Sequence, residues 1–293
     1  MIAGLFIDGP CGRRLGAARD HGYTPGMTGL GTHPLMTTAA VDSGWAVLEA
    51  ELDLWQAAGR TASFWWRDDD AVAVTPALSR LLALAEDTPI AIAVIPGEVE
   101  SGLADQLARV PNAAVLQHGW RHTNHAPAGE RKSELGAHRP LGDRLDELRL
   151  GRDRLRSLFG PRALGVLVPP WNRIAPDLVP RLPEIGITGL SIAGPRRAEV
   201  ASAGPRVVNV HVDLVDWQGS RGFVGEAAAL ALVLRHLRSR FLAAVDADEP
   251  TGILTHHLVQ DAATERFLRR LFATVRRHRA ASFVPIPKLF AAP

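Results

Sequence analysis

From Val41 onward the chain alternates between two textures. Short apolar runs read as strands: "TASFWWR" (61–67), "IAIAVIP" (90–96), "AAVLQH" (113–118), "ALGVLVPP" (163–170), "ITGLSIAG" (187–194), "RVVNVHVD" (206–213) and "TGILTHH" (251–257). Between them lie stretches whose apolar residues recur at helical spacing, over 75–87, 98–110, 139–160, 177–186, 225–245 and 263–278. Thr75 followed by Pro76 marks one helix start, since the hydroxyl can cap and a proline's missing N–H costs nothing in a first turn. A further helix is predicted from Ser43 to Gly59, and "SFVPI" (282–286) offers a last edge strand. The strands are continuously apolar, not alternating, so both of their faces must be buried. That is the pattern of parallel strands covered by helices. Seven or eight such units fit a (β/α) barrel over residues 41–293 better than an open sheet. Residues 1–40 show no apolar period and are rich in Gly, Pro and Arg, which predicts a loosely packed N-terminal extension, with Met36 as an alternative start.

Composition narrows the function classes. Of 293 residues, 46% are hydrophobic and 22% charged, enough apolar material for one large core. The net charge is only +2, nearly all positive charge is arginine, and no block of like charge forms a nucleic-acid footprint. Cys11 is the single cysteine, which excludes an internal disulfide or a cysteine metal knuckle. The first apolar run is short and broken by Asp8, Gly9 and Pro10, unlike a secretion signal, and no run approaches the roughly 20 residues of a membrane span. The expectation is a cytoplasmic protein that acts on a small molecule or carbohydrate without nucleic acid or membrane. Oligomeric state is left open.

The polar residues are not spread evenly. The first strand ends in "RDDD" (67–70), the third in "QHGWRH" (117–122), the fourth in "PPWNR" (169–173), the sixth in "HVDLVDW" (211–217) and the seventh in "THH" (255–257). In a parallel barrel all of these ends meet at the C-terminal rim, where function sits. His118 and His122 are four residues apart and His122 and His125 three apart, spacings that can bring imidazoles together. Two histidines with one carboxylate, leaving a position for water, make a catalytic rather than a structural zinc site. A second carboxylate can act as base and a histidine from another strand as acid. The expectation is metal-assisted hydrolysis with a divalent metal, most simply Zn2+, and with His125 outside the ligand set.

In order along the chain, these segments resemble the polysaccharide deacetylases, carbohydrate esterase family four. "WRDDD" resembles the family's Asp-Asp pair, and "HGWRH" its His-Thr/Ser-x-x-His motif with Gly119 at the hydroxyl position. "VPPW" is similar to Arg-x-Pro-Tyr/Trp with Val168 for the arginine, while "DLVDW" and "LTH" match the last two motifs. The resemblance implies a distorted barrel, with Asp68 as general base, Asp69, His118 and His122 as metal ligands, and His256 as general acid. It also implies that the backbone near Trp171 helps hold an oxyanion and that Trp171, Asp216 and Trp217 bind substrate. Asp70, where the family has glycine, allows the base and ligand pair to shift to Asp69 and Asp70. With the family's arginine replaced, Arg67, Arg121 and Arg173 are the candidates to orient the base, with Arg173 favoured for its place after "PPWN". The activity implied is hydrolysis of an amide C–N bond, as in N-deacetylation of an acetamido sugar or its conjugate. Alternatives are another small, even cyclic, C–N substrate, or a catalytically silent carbohydrate- or metal-binding barrel.

Overall fold

In a computed structural model, the described residues are 38–85, 87–196 and 204–291. The predicted N-terminal extension therefore lies, up to residue 37, outside the described residues. Nine strands form one sheet: β1 (Ala62–Ala71), β2 (Ile90–Val94), β3 (Ala113–His118), β4 (Ala163–Val168), β5 (Gly189–Leu190), β6 (Arg206–Val207), β7 (Val212–Asp213), β8 (Thr251–Thr255) and β9 (Ala281–Phe283). Around it run α1 (Thr38–Ala57), α2 (Pro76–Leu84), α3 (Gly102–Ala108), α4 (Leu141–Phe159), α5 (Glu226–Phe241), α6 (Ala262–Arg277) and α7 (Ile286–Phe290). The order across the sheet is β6-β5-β4-β3-β2-β1-β8-β7, every pair is parallel, and β9 pairs beside the start of β1.

The sheet curls until its ends share one segment. Val208 and Val210 donate to Leu190 and Ile192 beyond β5, and the next residue, His211, donates to Gly252 in β8. Residues 206–213 thus act as one strand split between two neighbours, which gives the distorted barrel with seven strand positions. A Cβ on Gly252 would lie 2.6 Å from the Asn209 carbonyl, so the closure needs a residue without a side chain there.

Alternation along the strands builds two layers. Trp65, Ala93, Leu116, Val168, Val210 and Leu254 fill the barrel interior. Phe64, Trp66, Ile92, Val115 and Ile253 face outward against the helices. The capping prediction at Thr75 holds, its hydroxyl accepting the Leu78 N–H at 3.0 Å. The segment predicted as a helix over 177–186 is a 3-10 helix, Val179–Ile185. Pro180 and Pro183 each lack an N–H, which prevents an α-helical ladder in so short a span. Among the described residues no helix is long and apolar enough to cross a membrane.

Candidate metal centre and active site

The parity of β1 decides which aspartate goes where. Arg67 and Asp69 share the side of Trp65 and point into the barrel, while Asp68 shares the side of Trp66. Pairing with β2 then slips. Arg67 and Asp68 stand opposite Ala91 and Ile92, but Ala71 stands opposite Val94, so Asp69 and Asp70 together face the single residue Ala93. Asp70 takes a left-handed φ of 71°. A bulge of this kind re-aims a side chain, and here it brings two consecutive carboxylates to the same mouth.

Asp70, His118 and His122 form one of two groups of potential metal ligands among the described residues, their donor atoms all within 4.8 Å of one another. Asp70 Oδ1 lies 3.1 Å from His118 Nε2 and 3.5 Å from His122 Nε2. It is buried, yet no aligned hydrogen bond reaches it from the described residues. His118 Nδ1 lies 2.9 Å from the Val168 carbonyl and donates to it. In a neutral ring that leaves the Nε2 lone pair facing the carboxylate. Two lone pairs aimed at each other require a cation or a proton between them, and the backbone bond behind the ring is how metal-ligating histidines are oriented. The residues present therefore fit a divalent metal. Without one, a proton serves. Burial would push the His118 imidazole down, but the carboxylate of Asp70 against its Nε2 and the charge of Asp69 outweigh this and hold it above the ordinary histidine value. Burial likewise tends to raise Asp70, but His118 overrides it and holds the carboxyl far below the usual range. Burial and the neighbouring His118 push His122 down.

The expected ligand Asp69 is occupied differently. Arg67 Nε and Nη2 clamp its two oxygens at 2.8 and 3.0 Å, and Arg67 Nη1 reaches the Ser191 hydroxyl at 2.7 Å across the barrel. The arginine that grips a carboxylate of this triplet thus comes from the same strand two residues earlier. Arg173, favoured from the sequence, instead donates to the Lys132 carbonyl at 2.7 Å, away from the carboxylates. Arg67→Lys keeps the charge but loses the two-pronged grip. It is expected to lower kcat about 10–100-fold, as loss of an outer-shell partner does, whereas Arg173→Lys, at the wall of the neighbouring cleft, should leave kcat nearly unchanged and act on KM. Steady-state rates of the two variants check this, and equal losses would return Arg173 to the site.

Asp68, the expected base, is fully buried on the outer side of β1. Its oxygens accept from the Thr255 hydroxyl at 2.7 Å and face His257 Nδ1 at 2.6 Å. Burial opposes charge on His257, but Asp68 more than offsets it and raises the imidazole above its ordinary value. The neighbouring His256 points the other way. It is half-buried, its Nδ1 has no hydrogen-bond partner among the described residues, and its positive charge would act on both Asp70 and Asp213. Trp217 packs edge-on against it at 4.8 Å and donates from its indole N–H to Asp213 at 2.9 Å. Burial pushes Asp213 up despite its bond to the Val215 N–H. Asp216, the expected substrate contact, accepts the N–H groups of Gly219 and Ser220 and so holds a turn. Asp213, three residues earlier, is the acid beside His256. The "DLVDW" spacing already contained it.

Trp171 packs against His122 with ring centroids 4.2 Å apart and planes tilted by 54°, and beside it opens a cleft of about 660 Å³ whose lining includes Asn172, Arg173, His138 and Ile174. That is ample for a sugar ring. Asp70, His122, Trp171 and Asn172 are four of the six non-glycine residues with positive φ among the described residues. Left-handed backbone costs energy and concentrates at functional sites. His125, on the outer loop, donates its N–H to the Ser133 carbonyl, and its ring is not in the ligand group.

The second group, His211, His236 and Glu249, lies at the opposite end of the barrel, just before β7 and β8. His211 Nδ1 accepts the Gly252 N–H at 3.0 Å, so the neutral ring carries its proton on Nε2, which faces Glu249 at 3.3 Å. Glu249 also accepts the N–H groups of Arg196 and Asn209. Burial, with His211 and Arg240 nearby, pushes His236 down to about 2. This network ties the barrel closure together, and its protonation pattern does not suit a metal ion.

No protein-family model matches the chain, and no curated protein matches its sequence. Solved structures do match. A Mycobacterium smegmatis protein described as a polysaccharide deacetylase is 17% identical, with 79% of this chain and 89% of that chain covered and a TM-score of 0.56. The Bc1960 peptidoglycan N-acetylglucosamine deacetylase is 16% identical, with 78% and 88% covered and a TM-score of 0.52. The BA3943 mutant, a family 4 pseudoenzyme with restored activity, is 14% identical, with 79% and 68% covered and a TM-score of 0.53. The parallel strands, the bulged end of β1 and the rim that gathers Asp70, His118 and His122 thus stand on a barrel that resembles, in fold, the carbohydrate esterase family 4 deacetylases.

Proposed function

We propose that the protein is a metal-dependent hydrolase of an amide C–N bond, acting as an N-deacetylase of an acetamido sugar or sugar conjugate. The observation that carries this reading is the buried, unpartnered Asp70 Oδ1 facing the nitrogens of His118 and His122, with Asp69 clamped beside it by Arg67. Asp70, His118 and His122 would hold the metal, Zn2+ by donor type. When bound, such an ion polarises a carbonyl and lowers the pKa of water. Asp69 accepts the proton of the attacking water, and Arg67 holds that carboxylate in place through two hydrogen bonds. His256 donates a proton to the departing nitrogen as the C–N bond breaks, with Asp213 nearby. Trp171 and Trp217 stand on either side of the acyl group. The products are acetate and the free amine.

The barrel alone does not choose between an enzyme and a silent relative, since a pseudoenzyme shares it. What favours catalysis is the retention of Asp69 and His256 as two further titratable groups at the same rim. The test pairs elemental analysis with acetate release from a panel of N-acetylated sugars. About one zinc per chain with release on at least one substrate supports the reading. Absence of a tightly bound divalent metal under zinc-replete conditions would end it.

A further inference from the structure

Glu134 lies away from the strand ends, at the return of the loop that carries His122. Its side chain is buried, at 1% exposure. Its carboxylate accepts three backbone N–H groups in succession: Trp120 at 3.0 Å, Arg121 at 2.7 Å and Thr123 at 3.3 Å. These three surround His122, whose φ is 55°. The carboxylate is itself fixed from behind. Leu135 bridges to Ile174 and accepts from Ala175, while Asn124 and His125 bond to Ser133 and close the loop on itself. Gly119 completes the arrangement, because a Cβ there would collide with Glu134 Oε2 and the Pro170 ring. The residue between His118 and the loop is therefore glycine because Glu134 fills the space a side chain would take.

Charge-assisted bonds from backbone N–H to carboxylate are strong and directional. Three of them on one acid set the path of 119–123. Along that path His122 turns back toward His118 and Asp70 instead of extending outward. We propose that Glu134 is a positioning residue for the metal ligand His122, holding it in the left-handed conformation that lets its Nε2 join the other two donors. The inference rests on the metal-site reading given above.

The test is zinc affinity, measured by competition with a chromophoric chelator on the full-length chain. Glu134→Gln has the same size, but its amide end presents N–H to the loop's own N–H donors and cannot accept from all three. Zinc should bind about 10–100-fold more weakly, and the visible spectrum of the cobalt-loaded protein should change as His122 moves. The melting temperature in excess chelator should shift little by comparison. Glu134→Asp, which keeps the charge but is shorter, should fall between the two and serves if the glutamine variant does not fold. Unchanged zinc affinity and an unchanged cobalt spectrum in either folded variant would overturn the positioning role while leaving the metal site intact. Failure of the unmodified protein to bind zinc would instead remove the underlying reading, and this role with it.

Discussion

Asp70→Asn is expected to abolish tight zinc binding and activity together, because it removes the one anionic donor of the site. Asp69→Asn should retain zinc yet lose about 10²–10⁴ in rate, the usual contribution of a positioned base. Both variants need a stability check, since Asp69→Asn leaves the buried Arg67 guanidinium without its counter-charge. Breaking one side of a buried pair costs about 3–5 kcal/mol, so rates should be compared well below the melting transition. Metal content by elemental analysis separates the two roles. If Asp69→Asn loses the metal and Asp70→Asn keeps it, the ligand is Asp69 and the bulge has been assigned the wrong consequence.

The two histidines that follow β8 should separate in the opposite sense, one in rate and one in stability. His256→Gln is expected to cost about 10²–10⁴ in turnover with zinc retained and melting nearly unchanged. His257→Gln strands the fully buried Asp68 carboxylate, whose pairing with His257 has side-chain exposures of 1% and 0%. The expected loss is about 3–5 kcal/mol in unfolding free energy, read by denaturant titration. The pair also carries a pH dependence. Its histidine is raised in the folded state, so its contribution is complete below the ordinary imidazole value of about 6.5 and fades as pH climbs through the raised value. The difference in stability between the unmodified protein and His257→Gln should therefore shrink on the alkaline side. A difference that grows there would mean His257 is neutral in the fold. If His257→Gln instead loses turnover at full stability, the acid is His257.

Much of this protein was legible in its sequence. Continuously apolar strands such as "IAIAV" can only be buried on both faces, and helical spacing between them forces parallel crossovers. The polar residues past the strand ends then had to meet at one rim, because every parallel strand points the same way; His211, read with them, precedes β7 and lies at the other end. Alternation allowed only one of His256 and His257 to face the mouth, and the likeness of "ILTH" to the family's last motif favoured His256; in the fold β8 ends at Thr255, His256 continues in extended backbone and His257 opens a 3-10 helix. Alternation could not place three consecutive aspartates, because the bulge at Asp69 and Asp70 breaks the period that such reasoning depends on. Nothing in "RDDD" announces a left-handed Asp70. Arg67 was a candidate that the sequence could not rank above Arg173, Asp213 stood unchosen in "DLVDW", and Glu134 was not singled out, for a related reason. Each acts through a partner fixed only when strands and loops are packed, as Arg67 on Asp69 and Ser191, or Glu134 on N–H groups 11–14 residues away. Sequence determined the barrel and the rim, since both follow from local periodicity and chain direction. The tertiary structure decided which carboxylate faces the histidines and which arginine holds the other, since both depend on one extra residue in one strand.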